Sequence, residues 1–539
     1  MQGKRDWYKH RRGRALEEDT KRNRRTLGQV VDLRLKRSKS GYDIRLLGTG
    51  TVPVEVSEEE RTHTHIIGTT RVGKSKFIEY MMMEDIKRGH GLCFIDSSDG
   101  GSTAYDMLRY LANVGHKKVL FIDPLHTFVF KRIAPLDVFG RYPDESAENV
   151  LDLIQIQFQQ KDISETPVIK QYLPAIIRVL HKAELAFSDA LYFTQPVFVE
   201  QREEIFAKVG RTDYDVLMLR NVFRDRELFR EYRPTARRIL DLLNPMLSLY
   251  FGSRRGVKFT ELVADKWVVI VNLYPQKGFG ESPARFLGTA IINSFISAMD
   301  DLTGNPLREN QWKGKYYLYV DEVGRYANRN LADVFSYKAK SGLTLTVAHQ
   351  NLGQIEDSYV RDTILNQTST KIVLRLESED THRVGRIIYG GQVKDRDAAY
   401  YINRLSKQHG IVKLPAQDAV SVRFPDVKIP DADIKAYLDK VYANKWYVPI
   451  EEIQTDQKNR VTQPEEEDYH QTEKSSKSQE TKLRNDTSRT STPSSKKRAA
   501  PNKKSTGKST SSKRPDTGWE DLIQSLREDT GANPKDDSQ

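Results

Sequence analysis

Eight consecutive residues, from Gly68 to Ser75, have the types and spacing that could bind a nucleotide. They fit the pattern G-x-x-x-x-G-K-[ST]. The glycines let the backbone curl until several N–H groups point at one phosphate chain. Lys74 would then reach the β- and γ-phosphates, and the Ser75 hydroxyl would hold Mg²⁺. The pattern predicts a site for ATP and Mg²⁺ made by Gly68, Thr69, Thr70, Arg71, Val72, Gly73, Lys74 and Ser75.

Two further polar groups follow apolar runs in the second half of the chain. Asp321 and Glu322 come directly after the run YYLYV, and Gln350 follows the run LTLTVAH. In a nucleotide hydrolase, a carboxylate at a strand tip holds Mg²⁺ through water, and the next carboxylate acts as general base toward the attacking water. We therefore assign Asp321 to the metal, Glu322 to the water, and Gln350 to sensing the γ-phosphate or orienting the water. His349 is interpreted as a structural histidine, and surface carboxylates at a strand end are the alternative to the catalytic pair.

Apolar periodicity predicts the elements that must position these side chains. The run before Gly68 is short and apolar, as in a buried strand, and residues 76–83 after the motif have helical spacing. Later apolar runs alternate with helical stretches, which is typical of an α/β fold with a parallel sheet. Between residues 145 and 249 the periodicity is almost entirely helical. The predicted strands are 91–96, 118–123, 267–273, 316–320, 343–348 and 371–376, with shorter ones at 410–414 and 420–424.

These patterns predict five consecutive parts of the chain. Near the start, 42–56 is expected to be a strand pair around a Gly-Thr-Gly turn. Residues 455–539 are rich in Ser, Thr, Lys and Glu and almost free of apolar residues, so they are predicted to be disordered. The parts are a basic N-terminal arm (1–40), the first part of the ATPase core (41–144), an all-helical insertion (145–256), the second part of the core (257–454) and the tail (455–539).

One short stretch of the tail differs from its surroundings. Trp519, Leu522, Ile523 and Leu526 recur at helical spacing within 518–528. An amphipathic helix in a polar tail is typical of a docking motif for a partner protein. A fortuitous apolar cluster is the alternative.

Composition limits the class of protein further. The chain has 539 residues and a formal net charge of +12. A single cysteine, Cys93, excludes an internal disulfide and a cysteine-based zinc site. The sequence has no apolar run of about 18 residues, so no transmembrane helix is expected, and the charged start lacks the apolar core of a signal peptide. We expect a cytoplasmic protein that reaches the inner face of a membrane only through a partner.

The basic arm adds a prediction about partners. Its lysines and arginines are interleaved with Trp7 and Tyr8, a combination that suits phosphate contacts and base stacking. DNA is therefore the expected partner of residues 1–40. A solvated arm without a ligand remains open as the alternative.

The ordered set of motifs resembles the HerA/FtsK superfamily of DNA-pumping ATPases. It comprises His65 ahead of the glycine-rich loop, the helical insertion, the Asp321-Glu322 pair and Gln350, over roughly residues 58–425. The insertion makes the chain similar to the coupling proteins of conjugation and type IV secretion. The resemblance implies a RecA-like P-loop NTPase core, a hexameric homo-oligomeric ring, and ATP hydrolysis coupled to DNA translocation. It also implies secretion-channel or relaxosome proteins as partners, reached through the C-terminal tail, with no direct membrane span.

The resemblance also points to an arginine that acts on the neighbouring subunit's nucleotide. Such an arginine stabilises charge on the transferred phosphoryl group. Arg361, Arg375 and Arg383 lie in the corresponding segment, and Arg375 is preferred because it stands at the end of a predicted strand. A surface ion pair is the alternative for each of them.

The chain departs from the family pattern inside the nucleotide loop. Arg71 and Val72 stand where relatives usually have Gly-Ser. This departure keeps open a nucleotide-binding scaffold with slow or no hydrolysis. A HerA-like DNA helicase or a packaging motor is the other alternative to a coupling protein.

Overall fold

Strands and helices alternate along most of the chain, as the sequence predicts. The computed structural model describes residues 24–38, 41–57, 60–157, 167–275, 279–304, 312–337, 341–377, 380–391 and 393–460. The strands are β1 (Arg24–Ser38), β2 (Gly41–Ser57), β3 (Thr64–Ile67), β4 (Gly91–Asp96), β5 (Val119–Ile122), β6 (Arg132–Ile133), β7 (Val268–Asn272), β8 (Tyr316–Val320), β9 (Leu343–His349), β10 (Thr370–Val373), β11 (His409–Lys413), β12 (Val420–Arg423) and β13 (Val448–Pro449).

The order of the sheet places the candidate catalytic strands next to one another. Among the described residues, eleven strands form one sheet in the order β2-β1-β12-β11-β10-β3-β9-β8-β4-β7-β5. The strands from β10 to β5 pair in parallel, and those from β2 to β10 pair antiparallel. Because β9 lies between β3 and β8, the carboxyl ends of these three strands meet at one edge of the sheet. The predicted α/β fold with a parallel sheet is confirmed.

Burial explains why the central strands could be found in the sequence. Every residue of β3, β4, β7, β8 and β9 is buried. Strands of a parallel sheet that are covered on both faces must be apolar over their whole length. Local apolar runs are therefore sufficient to locate them.

The helices are most crowded between β6 and β7. In that part of the chain the helix Pro167–Lys182 is central, because it is largely buried and lies beside the helices Pro143–Gln157, Tyr214–Arg224 and Arg226–Leu242. The domain boundaries predicted for the insertion, 145–256, stay a prediction. The helices are α1 (Lys74–Lys87), α2 (Ser102–Asn113), α3 (Pro124–Phe130), α4 (Pro143–Gln157), α5 (Pro167–Lys182), α6 (Val199–Val209), α7 (Tyr214–Arg224), α8 (Arg226–Leu242), α9 (Pro245–Tyr250), α10 (Phe259–Ala264), α11 (Glu281–Thr303), α12 (Arg329–Tyr337), α13 (Ser358–Gln367), α14 (Asp380–Tyr389), α15 (Asp395–Asn403), α16 (Ile434–Tyr442) and α17 (Ile450–Arg460).

The strand pair predicted near the start of the chain is wrong. Residues 42–56 do not form a strand pair, because β2 is one long strand that runs antiparallel to β1. Part of the predicted arm, 24–38, is the strand β1, which also pairs with β12. The ladder between β1 and β2 shifts register three times, and these shifts take up the extra residues of β2 around the Gly-Thr-Gly segment without ending the strand.

Other predictions concern residues outside the described part of the chain. Residues 1–23 of the arm and residues 461–539, including the docking helix expected at 518–528, lie there. Among the helices that the structure describes, none has the length and apolar character needed to cross a membrane.

Candidate nucleotide site

The predicted nucleotide loop connects β3 to α1. Gly68 donates its N–H to the His349 carbonyl oxygen at 3.3 Å, and Thr69 donates its N–H to the Arg375 carbonyl oxygen at 2.9 Å. These bonds anchor the start of the loop to the strands on both sides of β3. The first turn of α1 carries no acidic residue, so the positive end of the helix remains available for an anion.

The two glycines of the motif are required for different reasons. Gly73 has φ 114°, a left-handed conformation that side-chain-bearing residues rarely adopt. At Gly68 a Cβ atom would lie 2.8 Å from the Leu374 Cβ, so this glycine allows close packing instead. Across the loop, Gly68, Val72 and Lys74 are buried, Thr69, Gly73 and Ser75 are partly buried, and Thr70 and Arg71 are exposed.

Lys74 lies inside the loop. Its ammonium group donates to the carbonyl oxygens of Gly68 at 2.7 Å and Thr69 at 3.2 Å, and the residue is only 7% exposed. Burial lowers the pKa of Lys74, while the carboxylates of Asp321 and Glu322 act in the opposite direction. Lysine and carboxylates therefore share one electrostatic environment, although they are far apart in sequence.

The two carboxylates stand at the carboxyl end of β8. Asp321 is buried, and its backbone N–H donates to the Ile95 carbonyl oxygen on β4. Burial raises the pKa of Asp321 to about 7, with Glu322 and Asp96 adding to the shift and Lys74 opposing it. Glu322 has φ 52°, a left-handed backbone conformation that is costly for a residue with a side chain and is concentrated at functional sites.

Gln350 reaches Glu322 from the neighbouring strand. Its side-chain N–H group donates to Glu322 Oε1 at 2.7 Å. A second amide, from Gln354, donates to Glu322 Oε2 at 3.0 Å. The structure thus brings together Lys74, Asp321, Glu322 and Gln350, all chosen from the sequence. Sequence reasoning misses Gln354, because a glutamine in a polar turn has no distinguishing local pattern.

His349 is held entirely by protein groups. Its Nδ1 lies 2.7 Å from the Asn351 carbonyl oxygen, and its Nε2 lies 2.6 Å from His65 Nε2. Burial lowers the pKa of His349 to about 4. Both ring nitrogens are occupied, which agrees with its interpretation as a structural histidine.

The three candidate arginines occupy different environments. The backbone carbonyl of Arg375 accepts from Thr69 of the same chain's nucleotide loop, and its Nε lies 3.8 Å from a Glu377 oxygen. Arg361 donates to the Ile355 carbonyl oxygen at 3.3 Å, and Arg383 pairs with Asp362. Of the three, Arg375 is the one whose backbone contacts the nucleotide loop. Its action on a neighbouring subunit stays a prediction.

The available ligands suit Mg²⁺. The Ser75 hydroxyl and the Asp321 carboxylate are oxygen donors, which this ion prefers. Within the described ranges, no group of three or more His, Cys, Asp or Glu residues is arranged to hold a metal ion. Phosphate oxygens of the nucleotide and water molecules would complete the coordination.

Comparison with known families agrees with this geometry. Residues 315–385 match the family model for the TraM recognition site of TraD and TraG. The matched segment contains Asp321, Glu322 and Gln350, and it confirms the resemblance to the coupling proteins over this part of the chain. No curated protein matches the chain in sequence.

Solved structures with some similarity to the chain have low sequence identity. The bacterial conjugative coupling protein TrwBdeltaN70 is 13% identical, with a TM-score of 0.48 over 70% of this chain and 88% of that one. VirB4 of Thermoanaerobacter pseudethanolicus is 12% identical, with a TM-score of 0.48 over 75% of this chain and 96% of that one. The cytoplasmic domain of the type VII secretion ATPase EccC of Thermomonospora curvata is 12% identical, with a TM-score of 0.30 over 78% and 31%.

Proposed function

We propose that this protein is a coupling-protein-like ATPase that hydrolyses ATP to pump DNA, with or without bound protein cargo, in conjugation or type IV secretion. The observation that carries the proposal is the meeting of Lys74 and the Asp321-Glu322 pair at one edge of the parallel sheet. A nucleotide loop alone would bind ATP, whereas a carboxylate pair with an oriented Glu322 is what hydrolysis requires in addition.

Different residues of the site bind the phosphates and accept the proton during hydrolysis. The loop N–H groups and Lys74 hold the β- and γ-phosphates, and Lys74 exchanges its carbonyl contacts for phosphate oxygens. Glu322 accepts a proton from the water that attacks the γ-phosphorus, while the bond from that phosphorus to the β–γ bridging oxygen breaks. Gln350, which donates to Glu322, is close enough to orient the same water. Mg²⁺, held by Ser75 and Asp321, would offset negative charge on the phosphate oxygens.

DNA translocation, a hexameric ring and an arginine acting in trans form the finer part of the proposal. They are supported by the ordered motifs and by the match of residues 315–385. That match is named for TraM recognition in TraD and TraG, which supports a relaxosome protein as a partner here. The tail remains the other proposed route to secretion-channel or relaxosome proteins.

Turnover with and without DNA tests the proposal. ATPase rates would be measured alone, with single-stranded and with double-stranded DNA, together with the mass of the protein in solution. We expect DNA to raise the rate in a hexameric species. Tight ATP binding without turnover would indicate a nucleotide-binding scaffold instead of a motor. An ATPase rate that neither form of DNA changes would show that hydrolysis is not coupled to DNA translocation.

A further inference from the structure

Two glutamine side chains converge on one carboxylate at the candidate site. Gln350 donates to Glu322 Oε1 at 2.7 Å, and Gln354 donates to Glu322 Oε2 at 3.0 Å. Each amide therefore takes a different oxygen of the same group. Gln350 has an expected role from the sequence, whereas Gln354 has none.

The orientation of the Gln354 amide is determined by its other contacts. Its side-chain carbonyl accepts the backbone N–H of Gln350 at 2.8 Å, so its NH₂ group has to face the other way, toward Glu322. The backbone N–H of Gln354 in turn donates to the Asn351 side-chain oxygen at 3.1 Å. Rotation of the amide would replace two favourable hydrogen bonds with two repulsive contacts.

The turns that carry Glu322 and Gln354 pack closely against each other. One turn follows β8 and includes Gly324, and the other follows β9 and includes Leu352–Gln354. A Cβ atom on Gly324 would lie 2.5 Å from the Gln354 carbonyl oxygen. Only glycine allows this approach, and the approach is what brings the Gln354 amide within reach of Glu322.

A carboxylate needs two hydrogen bonds to have one orientation. The terminal torsion of a glutamate is broad and roughly two-fold, so a single donor leaves the carboxylate free to rotate about the remaining contact. Donors on both oxygens stop that rotation, and each oxygen keeps a second lone pair for the water. The left-handed backbone at Glu322, φ 52°, sets the direction in which the side chain leaves the strand.

We propose that Gln354 is a positioning residue for Glu322, one that holds the general base in the orientation needed to accept a proton from water. This inference rests on the proposed ATPase function. Gln354 acts through Glu322 and is assigned no contact with nucleotide or metal, so its loss should slow turnover while nucleotide binding is retained.

The test compares Gln354→Met with the parent. Methionine keeps the approximate size of the side chain and removes its hydrogen bonds. We expect kcat to fall roughly ten- to a hundred-fold, the loss typical of a misplaced catalytic group, with KM for ATP and nucleotide affinity unchanged. The exposed Gln367→Met, at the end of α13, is the matched control and should turn over at the parent rate.

A second comparison, made in a variant without the Glu322 carboxylate, distinguishes positioning of Glu322 from a general structural effect of the Gln354 substitution. In Glu322→Gln there is no carboxylate left to position, so adding Gln354→Met should not reduce the residual single-turnover rate further. If Gln354→Met lowers the rate of Glu322→Gln by the same factor as it lowers the rate of the parent, the inference is overturned. Thermal unfolding of each variant identifies any that fold poorly, and Gln354→Asn, which keeps the amide but is too short to reach Glu322, then serves as the second test with the same expected loss.

The outcomes also separate this inference from the proposed function. An active parent with an equally active Gln354→Met or Gln354→Asn would overturn the role of Gln354 alone. A parent that binds ATP without turnover would overturn the ATPase proposal and the positioning role together.

Discussion

The Nε2 atoms of His65 and His349 lie 2.6 Å apart, joining the strand before the nucleotide loop to the strand that precedes Gln350. Both residues are buried. His349 Nδ1 faces the Asn351 carbonyl oxygen and must carry the proton, so the Nε2 of a neutral His349 accepts from His65. This hydrogen bond therefore exists only while His349 is neutral.

This pair predicts a pH dependence of stability. Burial lowers the pKa of His349 to about 4 and lowers that of His65 as well. The unfolded chain takes up these protons near pH 6.5, so the stabilisation is present above that pH and is lost as the pH falls toward 4. In His349→Gln, the slope of unfolding free energy against pH should be shallower by about 1.4 kcal/mol per pH unit in this window.

Urea unfolding at a series of pH values measures these slopes. The exposed His382→Gln is the matched control for loss of a histidine. Equal slopes for the parent and His349→Gln would show that the buried pair does not resist protonation.

Lys74 and Glu322 should separate nucleotide binding from hydrolysis. Lys74→Ala removes the cation that faces the phosphates, so both affinity and turnover should fall. Glu322→Gln keeps the shape of the side chain but loses the base, so turnover should drop by roughly a hundred-fold or more with ATP binding intact. Fluorescent-nucleotide titration and phosphate release measure the two effects, and parent-rate hydrolysis by Glu322→Gln would contradict the assignment of the base.

A buried ion pair supports the strands next to the site. The Arg61 guanidinium contacts Asp85 at 2.7 Å and the Tyr319 hydroxyl at 2.6 Å, and it lies 4.1 Å from the centre of the Tyr317 ring. Arg61→Met would leave the Asp85 carboxylate buried without its cation, which should cost about 3–5 kcal/mol of unfolding free energy.

Chemical denaturation of Arg61→Met measures that cost. The double variant Arg61→Met/Asp85→Leu removes both charges and should recover much of the stability. If the double variant is no more stable than the single one, the loss of unfolding free energy comes from the packing of the arginine side chain and not from the unpaired charge.

The strand β1 determines how much of the basic arm can be deleted. Because 24–38 belongs to the sheet, only residues 1–23 should be removed. If their lysines and arginines neutralise DNA phosphates, the deletion should flatten the dependence of log Kd for DNA on log salt, by about one unit of slope for each phosphate that is no longer neutralised. Trp7→Ala/Tyr8→Ala is the matched control that keeps the charges, and an unchanged slope on deletion would assign the arm to another role.

Much of the fold and of the candidate site follows from local sequence. The strand predicted at 316–320 has the same bounds as β8, because a doubly covered parallel strand must be a continuous apolar run. The motif residues can be found because a phosphate loop needs glycine and lysine at one spacing. Sequence reasoning misses β1 because antiparallel pairing at the margin of a sheet leaves only a weak alternation in a highly charged stretch.

By itself, the sequence determined the α/β class, the central parallel strands and the residue types for a nucleotide loop with a carboxylate pair, since each is encoded in neighbouring residues. Only the tertiary structure decided that β9 lies between β3 and β8, that His65 pairs with His349, and that Gln354 holds Glu322. These relationships depend on the order in which strands pair and on turns that fit closely against each other. Contacts between residues distant in sequence leave no periodicity or spacing in the chain from which they could be predicted.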